Sequence, residues 1–412
     1  MEVLSSMTFF VGAVFFFVYA GIAIGRVPGL LIDRTGIALV GAIVLLSVGA
    51  IDLREAGSFI DVSTICLLFG LMIVSAQLRE SGFYGNLSAR ILHSADRPFF
   101  LLFLISSSAA VLSAVFANDI VCLAFTPVIC EAFSKSRRNP VPYLLALAAS
   151  SNIGSAATLI GNPQNMFIGQ VGNLSFAGYF ALMGPFSLLF CFVNSVWIFL
   201  LWREELKSPS SFPSGEVRFL PSDQRKIRKA LLITALLFVA FLSGLPREIC
   251  ALAAAALPLI SRRTPAARLY ALLDWGLILL FLGLFIVIGT FEKFGLLEAL
   301  LAKLRGTGAD IHNPGVFVFF ASLLSNIVSN VPAVLLLKSI PGHSEKMWYL
   351  LAMSSTLAGN LTLIGSIANI IVAEKADTYG IKLGFWTFFR TGFFPSVISI
   401  AAGFVWIHFL VK

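Results

Sequence analysis

The sequence predicts an all-α polytopic membrane protein made of two inverted repeats, each with five crossings, one of them a broken helix, plus one re-entrant hairpin. Three observations predict it. Hydrophobic residues make up 58% of the 412-residue chain and charged residues only 12%, against about 25% charged in a soluble chain, and the mean hydropathy is +0.92. A patterned stretch then recurs: Asp61, Gly70 and Gly82 reappear as Asp274, Gly283 and Gly295 at one common offset of 213, which similar hydrophobicity alone would not produce. Finally, two long apolar segments are interrupted by related polar tracts, each carrying Thr-Leu-Ile-Gly (158–161 and 362–365) followed four residues later by Asn (Asn165 and Asn369).

Apolar runs long enough to cross about 30 Å of hydrocarbon fall at 8–25, 36–51 and 62–78. The first has no basic leader or small-residue cleavage site and reads as a retained helix. A double-length block at 100–133 holds Asn118-Asp119 at its centre, so it reads as two half-helices meeting at a polar tip. A broken helix at 142–170 and a crossing at 181–202 complete a first repeat over 1–202. The polar segment 203–229, rich in Ser, Pro and basic residues, reads as a cytoplasmic linker. The order then repeats over 230–412: crossings at 230–245, 249–261 and 275–291, a hairpin at 315–339 around Ser329-Asn330, a broken helix at 347–373, and a last crossing at 385–410.

Basic residues concentrate in cytoplasmic loops. With both termini outside, the loops of Arg26 and Arg34, of Arg79, Arg90 and Arg97, of Lys135, Arg137 and Arg138, and of Arg262, Arg263 and Arg268 all lie inside, as does the linker. Five crossings per repeat is an odd number, so the second repeat enters from the opposite side. The loop after 291, placed outside, runs against this pattern with Lys293, Lys303 and Arg305. The net charge of +8 is accounted for by such loops, and nucleic acid is excluded as a partner; the partner is the lipid bilayer.

Inverted repeats with discontinuous helices bring their breaks and hairpin tips together near the bilayer midplane, where transporters bind solute. A carboxylate at that depth is costly and marks an ion or proton pathway, which singles out Asp119 as the proton-coupling residue, while a helix-capping role is the plainer alternative. Its counterpart in the second hairpin is Val331. The neutral side chains Asn118, Asn152, Thr158, Asn162, Gln164, Asn165, Ser329, Asn330, Asn360, Thr362 and Asn369 are the candidate solute ligands, with Ser366 beside them. Gly154, Gly161, Gly359 and Gly365 supply backbone freedom at the breaks, and Pro163 stops a helix. No Arg or Lys lies in either break or tip. The five cysteines lie in or beside apolar spans without metal-ligand spacing, and the four histidines lie in loops or at a span end. With no nucleotide-binding loop or catalytic constellation, the chain is expected to be a secondary transporter, without cofactor or metal, rather than an enzyme; a passive anion channel is the alternative of another class.

Asn118-Asp119, Asn152-Ile153-Gly154 and the run Thr158 to Asn165 resemble the ArsB/NhaD branch of the ion-transporter superfamily, which includes arsenite efflux pumps, and Gly-Asn-Pro-Gln-Asn looks most like its YbiR-type anion permeases. The resemblance covers nearly the whole chain. It implies that tips and breaks form the solute and cation sites and that a mobile domain carries them across as an elevator. Carried over by position, the family residues are Asn118, Asp119, Asn152, Thr158, Asn162 and Asn165 in one half and Asn330, Asn360, Thr362 and Asn369 in the other. Dicarboxylate carriers of the superfamily show Ser-Asn-Thr at both tips, where this chain has Ala117-Asn118-Asp119 and Ser329-Asn330-Val331. Sodium/proton exchangers of the NhaD type usually have an acid where Asn162 stands. The resemblance thus points to proton-driven export of arsenite or antimonite across a bacterial-type inner membrane, with sodium/proton antiport or sulfate/dicarboxylate-type anion transport as alternatives, and leaves a soluble ATPase or a second copy of the chain open as partners.

Overall fold

The computed structural model describes residues 2–25, 29, 31–93, 97–134, 138–206, 223–260, 264–306, 310–342 and 344–411. Of the sequence expectations, Arg26, Lys135, Arg137, Arg262, Arg263, His343 and linker residues 207–222 lie outside the described residues. The first repeat contains α1 (Glu2–Ile24), α2 (Arg34–Ser47), α3 (Leu53–Phe59), α4 (Val62–Glu80), α5 (Phe83–His93), α6 (Pro98–Val115), α7 (Asn118–Ser134), α8 (Val141–Ser155), α9 (Pro163–Val171) and α10 (Phe176–Leu201). A short α11 (Arg203–Leu206) leads toward the second repeat: α12 (Gln224–Leu242), α13 (Arg247–Leu259), α14 (Ala266–Tyr270), α15 (Trp275–Lys293), α16 (Leu296–Gly306), α17 (Pro314–Val328), α18 (Asn330–Leu337), α19 (Glu345–Ala358), α20 (Ile367–Asp377) and α21 (Phe385–Leu410). Among the described residues six helices, α1, α4, α6, α10, α15 and α21, are long and apolar enough to span a bilayer by length and composition.

The offset of 213 has a physical reason at each position. Asp61 and Asp274 are N-caps whose carboxylates accept from the backbone N–H of Thr64 (2.7 Å) and Leu277 (3.0 Å), satisfying donors that a helix start leaves open. Gly82 (φ +75°) and Gly295 (φ +68°) end α4 and α15 in the left-handed conformation that glycine adopts without strain. Gly70 and Gly283 mark helix crossings: a Cβ on Gly70 would lie 2.6 Å from the backbone of Ala251 in α13, and one on Gly283 2.8 Å from the backbone of Ala38 in α2. Small residues let helices approach closely in a bilayer. Ala38 and Ala251 are themselves 213 apart, so each repeat's third crossing packs against the other repeat's second, as a two-fold arrangement requires.

The repeats are inverted. Phe133 near the end of α7 packs on Tyr143 at the start of α8 (ring centroids 4.7 Å), and α20 packs along α7 and α8, carrying Tyr379 into the electrostatic reach of Glu131. On the opposite face, Gly172 at the end of α9 lies against the Trp348 ring at the start of α19, and the Tyr179 and Tyr349 rings meet at a tilt (centroids 5.0 Å). The first broken helix therefore starts where the second one ends.

Sequence reasoning missed α5 and α16, which it left as loops. Both directly follow a crossing and an αL glycine, and α16 lies within the loop whose basic residues ran against the orientation pattern. Residues 224–229, read as linker, belong to α12.

Candidate functional site

Each broken helix is closed by the same hydrogen-bond device. In the first, Asn165 Nδ2 donates to the carbonyls of Ser155 (3.4 Å) and Thr158 (3.2 Å); in the second, Asn369 Nδ2 donates to those of Gly359 (2.7 Å) and Thr362 (3.2 Å). These are equivalent positions in the two tracts. The Asn that follows each Thr-Leu-Ile-Gly thus satisfies carbonyls that the break frees, as a polar interruption inside a bilayer demands. The threonines tie each break to a hairpin: Thr158 Oγ1 donates to the Ala114 carbonyl (2.5 Å) and Thr362 Oγ1 to Asn326 Oδ1 (2.9 Å). Asn326 Nδ2 in turn donates to the Ala358 carbonyl (2.9 Å).

Asn152 joins the halves. Its Oδ1 accepts from Asn118 Nδ2 (2.8 Å) and Ser366 Oγ (3.0 Å), and its Nδ2 donates to Asn360 Oδ1 (2.7 Å) and Asn369 Oδ1 (3.0 Å). A buried amide with all its capacity used rigidifies its surroundings. Asn162 caps α9, accepting from the Asn165 backbone N–H (2.8 Å), and its Nδ2 donates to Ser155 Oγ (2.9 Å) and Thr356 Oγ1 (3.2 Å). With its amide turned so that nitrogen faces carbonyls, Asn330 donates to Ser355 (2.9 Å) and Gly365 (3.0 Å) and accepts from Gln164 Nε2 (3.3 Å). The Asn118 backbone N–H reaches the Gly161 carbonyl (3.1 Å), pinning the first tip to the first break.

In front of this web lies a small central cavity of ≈20 Å³, about one water in size, lined by Asn118, Asp119, Pro163, Gln164, Leu277, Ser329, Asn330, Val331, Ser366 and Ile367. Except for Leu277, these are the first residues or the N-cap residues of four helices, α7, α9, α18 and α20. Four helix N-termini converge there, each carrying partial positive charge, and Asp119 is the carboxylate among them. Among the described residues that carboxylate accepts no hydrogen bond, and Asp274 is the charge within its reach. No Lys, Arg or His lines the cavity. Ser329 holds φ +74°, ψ 162°, a region essentially reserved for glycine and costing of order 1–3 kcal/mol for other residues.

Of the residues singled out from sequence, Asn118, Asp119, Gln164, Ser329, Asn330 and Ser366 reach the cavity along with Pro163, whereas Asn152, Thr158, Asn162, Asn165, Asn360, Thr362 and Asn369 form the web behind it. Gly154, Gly161 and Gly365 sit where a Cβ would fall 2.2, 2.5 and 2.7 Å from a neighbour, and Gly359 has 3.1 Å. Sequence reasoning missed Asn326, Thr356 and Ser155. A signal existed for Asn326, an amide one helical turn before the second tip inside an apolar arm.

Inverted repeats whose breaks and tips enclose a polar cavity within the hydrophobic span define a polytopic membrane transporter. The chain belongs to the citrate-transporter family CitMHS, whose profile matches residues 14–347. It is similar to the putative transporter arsB of Dictyostelium discoideum (24% identical, covering 90% of this chain and 86% of that one) and to the silicon efflux transporter LSI3 of Oryza sativa subsp. japonica (28%, 95% and 96%). Its fold is similar to the crystal structure of the Alcanivorax borkumensis YdaH transporter, described as having an unusual topology (TM-score 0.55, 14% identical, 98% of each chain).

Proposed function

We propose that this protein is a proton-coupled secondary transporter that exports arsenite, antimonite or a related small oxyacid by an elevator-type mechanism across a bacterial-type inner membrane, with both termini outside. The observation that carries the reading is the central cavity: amide, hydroxyl and helix N-terminal groups surround a lone carboxylate, with no basic side chain to balance a multiply charged anion. Neutral hydroxides suit such a lining, and one titratable acid suits exchange against a proton. A relative named for silicon efflux supports the same class of solute. The family's description as citrate transporters and the four helix N-termini favour a second reading, a carboxylate or sulfate permease, and sodium/proton antiport remains its cationic counterpart.

Inside-out vesicles given arsenite, silicic acid, citrate, sulfate or sodium under an imposed proton gradient separate these. Arsenite or silicic acid is expected to accumulate, and citrate accumulation would replace the reading. Asp119→Asn is expected to abolish gradient-driven uptake, at least about 100-fold if the proton transfer is obligatory; a passive channel would still conduct.

A further inference from the structure

Arg34 and Arg247 occupy equivalent positions, 213 residues apart, at the starts of α2 and α13. Their opposite numbers are Gln170 in α9 and Glu374 in α20, at the same place in the two broken helices. Each set lines a cavity, ≈440 Å³ beside Arg247 toward α12 and ≈430 Å³ beside Arg34 between α15 and α20, and they differ in how the arginine is bonded.

Arg247 is closed on α9. Its guanidinium donates to the carbonyls of Gly169 and Leu174 (3.1 Å to the latter) and to Gln170 Oε1 (3.2 Å), while Gln170 Nε2 donates to Glu248 (2.9 Å). Arg247 is only 9% exposed. A cation on the last carbonyls of a helix is favourable both as a hydrogen-bond donor and toward the helix dipole. Nearby, α4 packs against α9.

On the other face the corresponding elements stand apart. Arg34 and Glu374, together with Asp33, Asp274, Leu280 and Ile370, line a cavity of ≈430 Å³ that separates α15 from α20. Glu374 is the charge facing Arg34, yet no hydrogen bond or ion pair joins them among the described residues. This cavity shares Leu277 and Ile367 with the central cavity, so the two adjoin. It opens on the face expected to be cytoplasmic.

We propose that Arg34 and Arg247 are alternating latches of the transport cycle: Arg247 holds the end of α9 in the state seen here, and in the opposite state it releases while Arg34 closes on Glu374 and the end of α20. The proposal rests on the transporter reading but not on the identity of the solute. The two-fold relation supplies the geometry of the second state, since Ala373 and Thr378 present the carbonyls equivalent to those of Gly169 and Leu174.

The test uses the full chain in membrane vesicles, its five native cysteines replaced by alanine, with one reporter thiol at Ile370→Cys, in the cavity beside Arg34, or at its equivalent Met166→Cys, which is 2% exposed. A membrane-impermeant maleimide is applied to one face at a time, without solute. Arg247→Ala is expected to slow labelling at 370 and speed it at 166 by about tenfold, the scale of one lost charge-assisted hydrogen bond. Arg34→Ala is expected to slow labelling at 166 further, with Arg34→Lys restoring part of the rate. Faster labelling at both positions in Arg247→Ala would mean loosened packing and overturn the latch, as would no change at either. Reciprocal labelling in vesicles that move none of the proposed oxyacids would leave the latch standing and remove the substrate reading instead.

Discussion

The two broken helices are built to one plan and finished differently. In the first, every residue from 142 to 169 is buried, Asn162 caps the second half-helix, and a Cβ on Gly154 or Gly161 would strike backbone at 2.2 or 2.5 Å. In the second, residues 361–364 are partly or fully exposed and Leu363–Gly365 forms a single 3-10 turn. Ser366, where the first half has the capping Asn162, makes no side-chain cap and gives its hydroxyl to Asn152 instead. The adjoining tip holds Ser329 in a conformation meant for glycine. Hydrogen-bonded amides inside a packed interior rigidify it, whereas exposed backbone and stored strain are features of segments that open at low cost. One duplicated motif is thus buried and side-chain capped in the first copy, and partly exposed and uncapped in the second.

The largest effect on this contrast is expected from the amide that joins the two. Asn152→Ala strands Asn118, Ser366, Asn360 and Asn369 at once and should cost about 4 kcal/mol, given 1–3 per unsatisfied buried group. Thr356→Val, at the equivalent position in the second half, strands only Asn165 Oδ1, because Asn162 and Gln164 keep Ser155 and Asn330 as partners, and should cost about 1 by the same scale; thermal unfolding in detergent measures both, and equal losses would erase the asymmetry. Next, Gly154→Ala should cost about 3 kcal/mol through overpacking against backbone, and Gly365→Ala about 1, because the nearest atom there is the Asn326 side chain. Ser329→Gly should stabilise the chain by about 1 kcal/mol, by removing strain from φ +74°, while Ala117→Gly at the first tip should not.

The smallest effect sharpens the comparison at the periphery. Glu55 pairs with Lys293 (2.6 Å), and the equivalent residues Arg268 and Glu80 pair at 3.3 Å with the charges exchanged. The hydrogen bond from Lys293, helped by the Asp52 backbone, holds the Glu55 carboxyl below its ordinary value. A lowered carboxylate pKa stabilises above the unfolded value, about 4.3, and that contribution is lost as pH falls through the folded one. Lys293→Ala should therefore leave stability nearly unchanged at low pH and lower it slightly at neutral pH, as suits a solvent-exposed pair; a loss at pH 3 as large as at pH 7 would show that packing, not charge, holds this corner.

Much of this was legible because the chain states it twice. Asp61, Gly70 and Gly82 each serve a purpose, cap, crossing and helix end, that their equivalents repeat, and both tips and both breaks fall within the segments read from hydropathy. The amides were legible as a group but not in their division of labour: Asn118 and Asn152 are the same residue type in the same polar setting, and only packing decides that one edges the cavity while the other is spent on four neighbours. α5 and α16 escaped because Arg90 and Lys303 lower the apolarity of helices that need only one apolar face. Asn326 escaped because a lone amide in an apolar arm signals a polar contact without showing which turn it will meet.

Gly70 seats on Ala251, and Ala38 on Gly283, so the small-residue seams of each half are completed by the other. During synthesis the earlier half enters the bilayer with its seam unmatched, and it stays so until the chain has grown past position 283. Folding to the final arrangement is accordingly a late event, and the halves are obligate companions: cut apart at the linker and made separately, each would have to find the other in the membrane before either acquired its native packing.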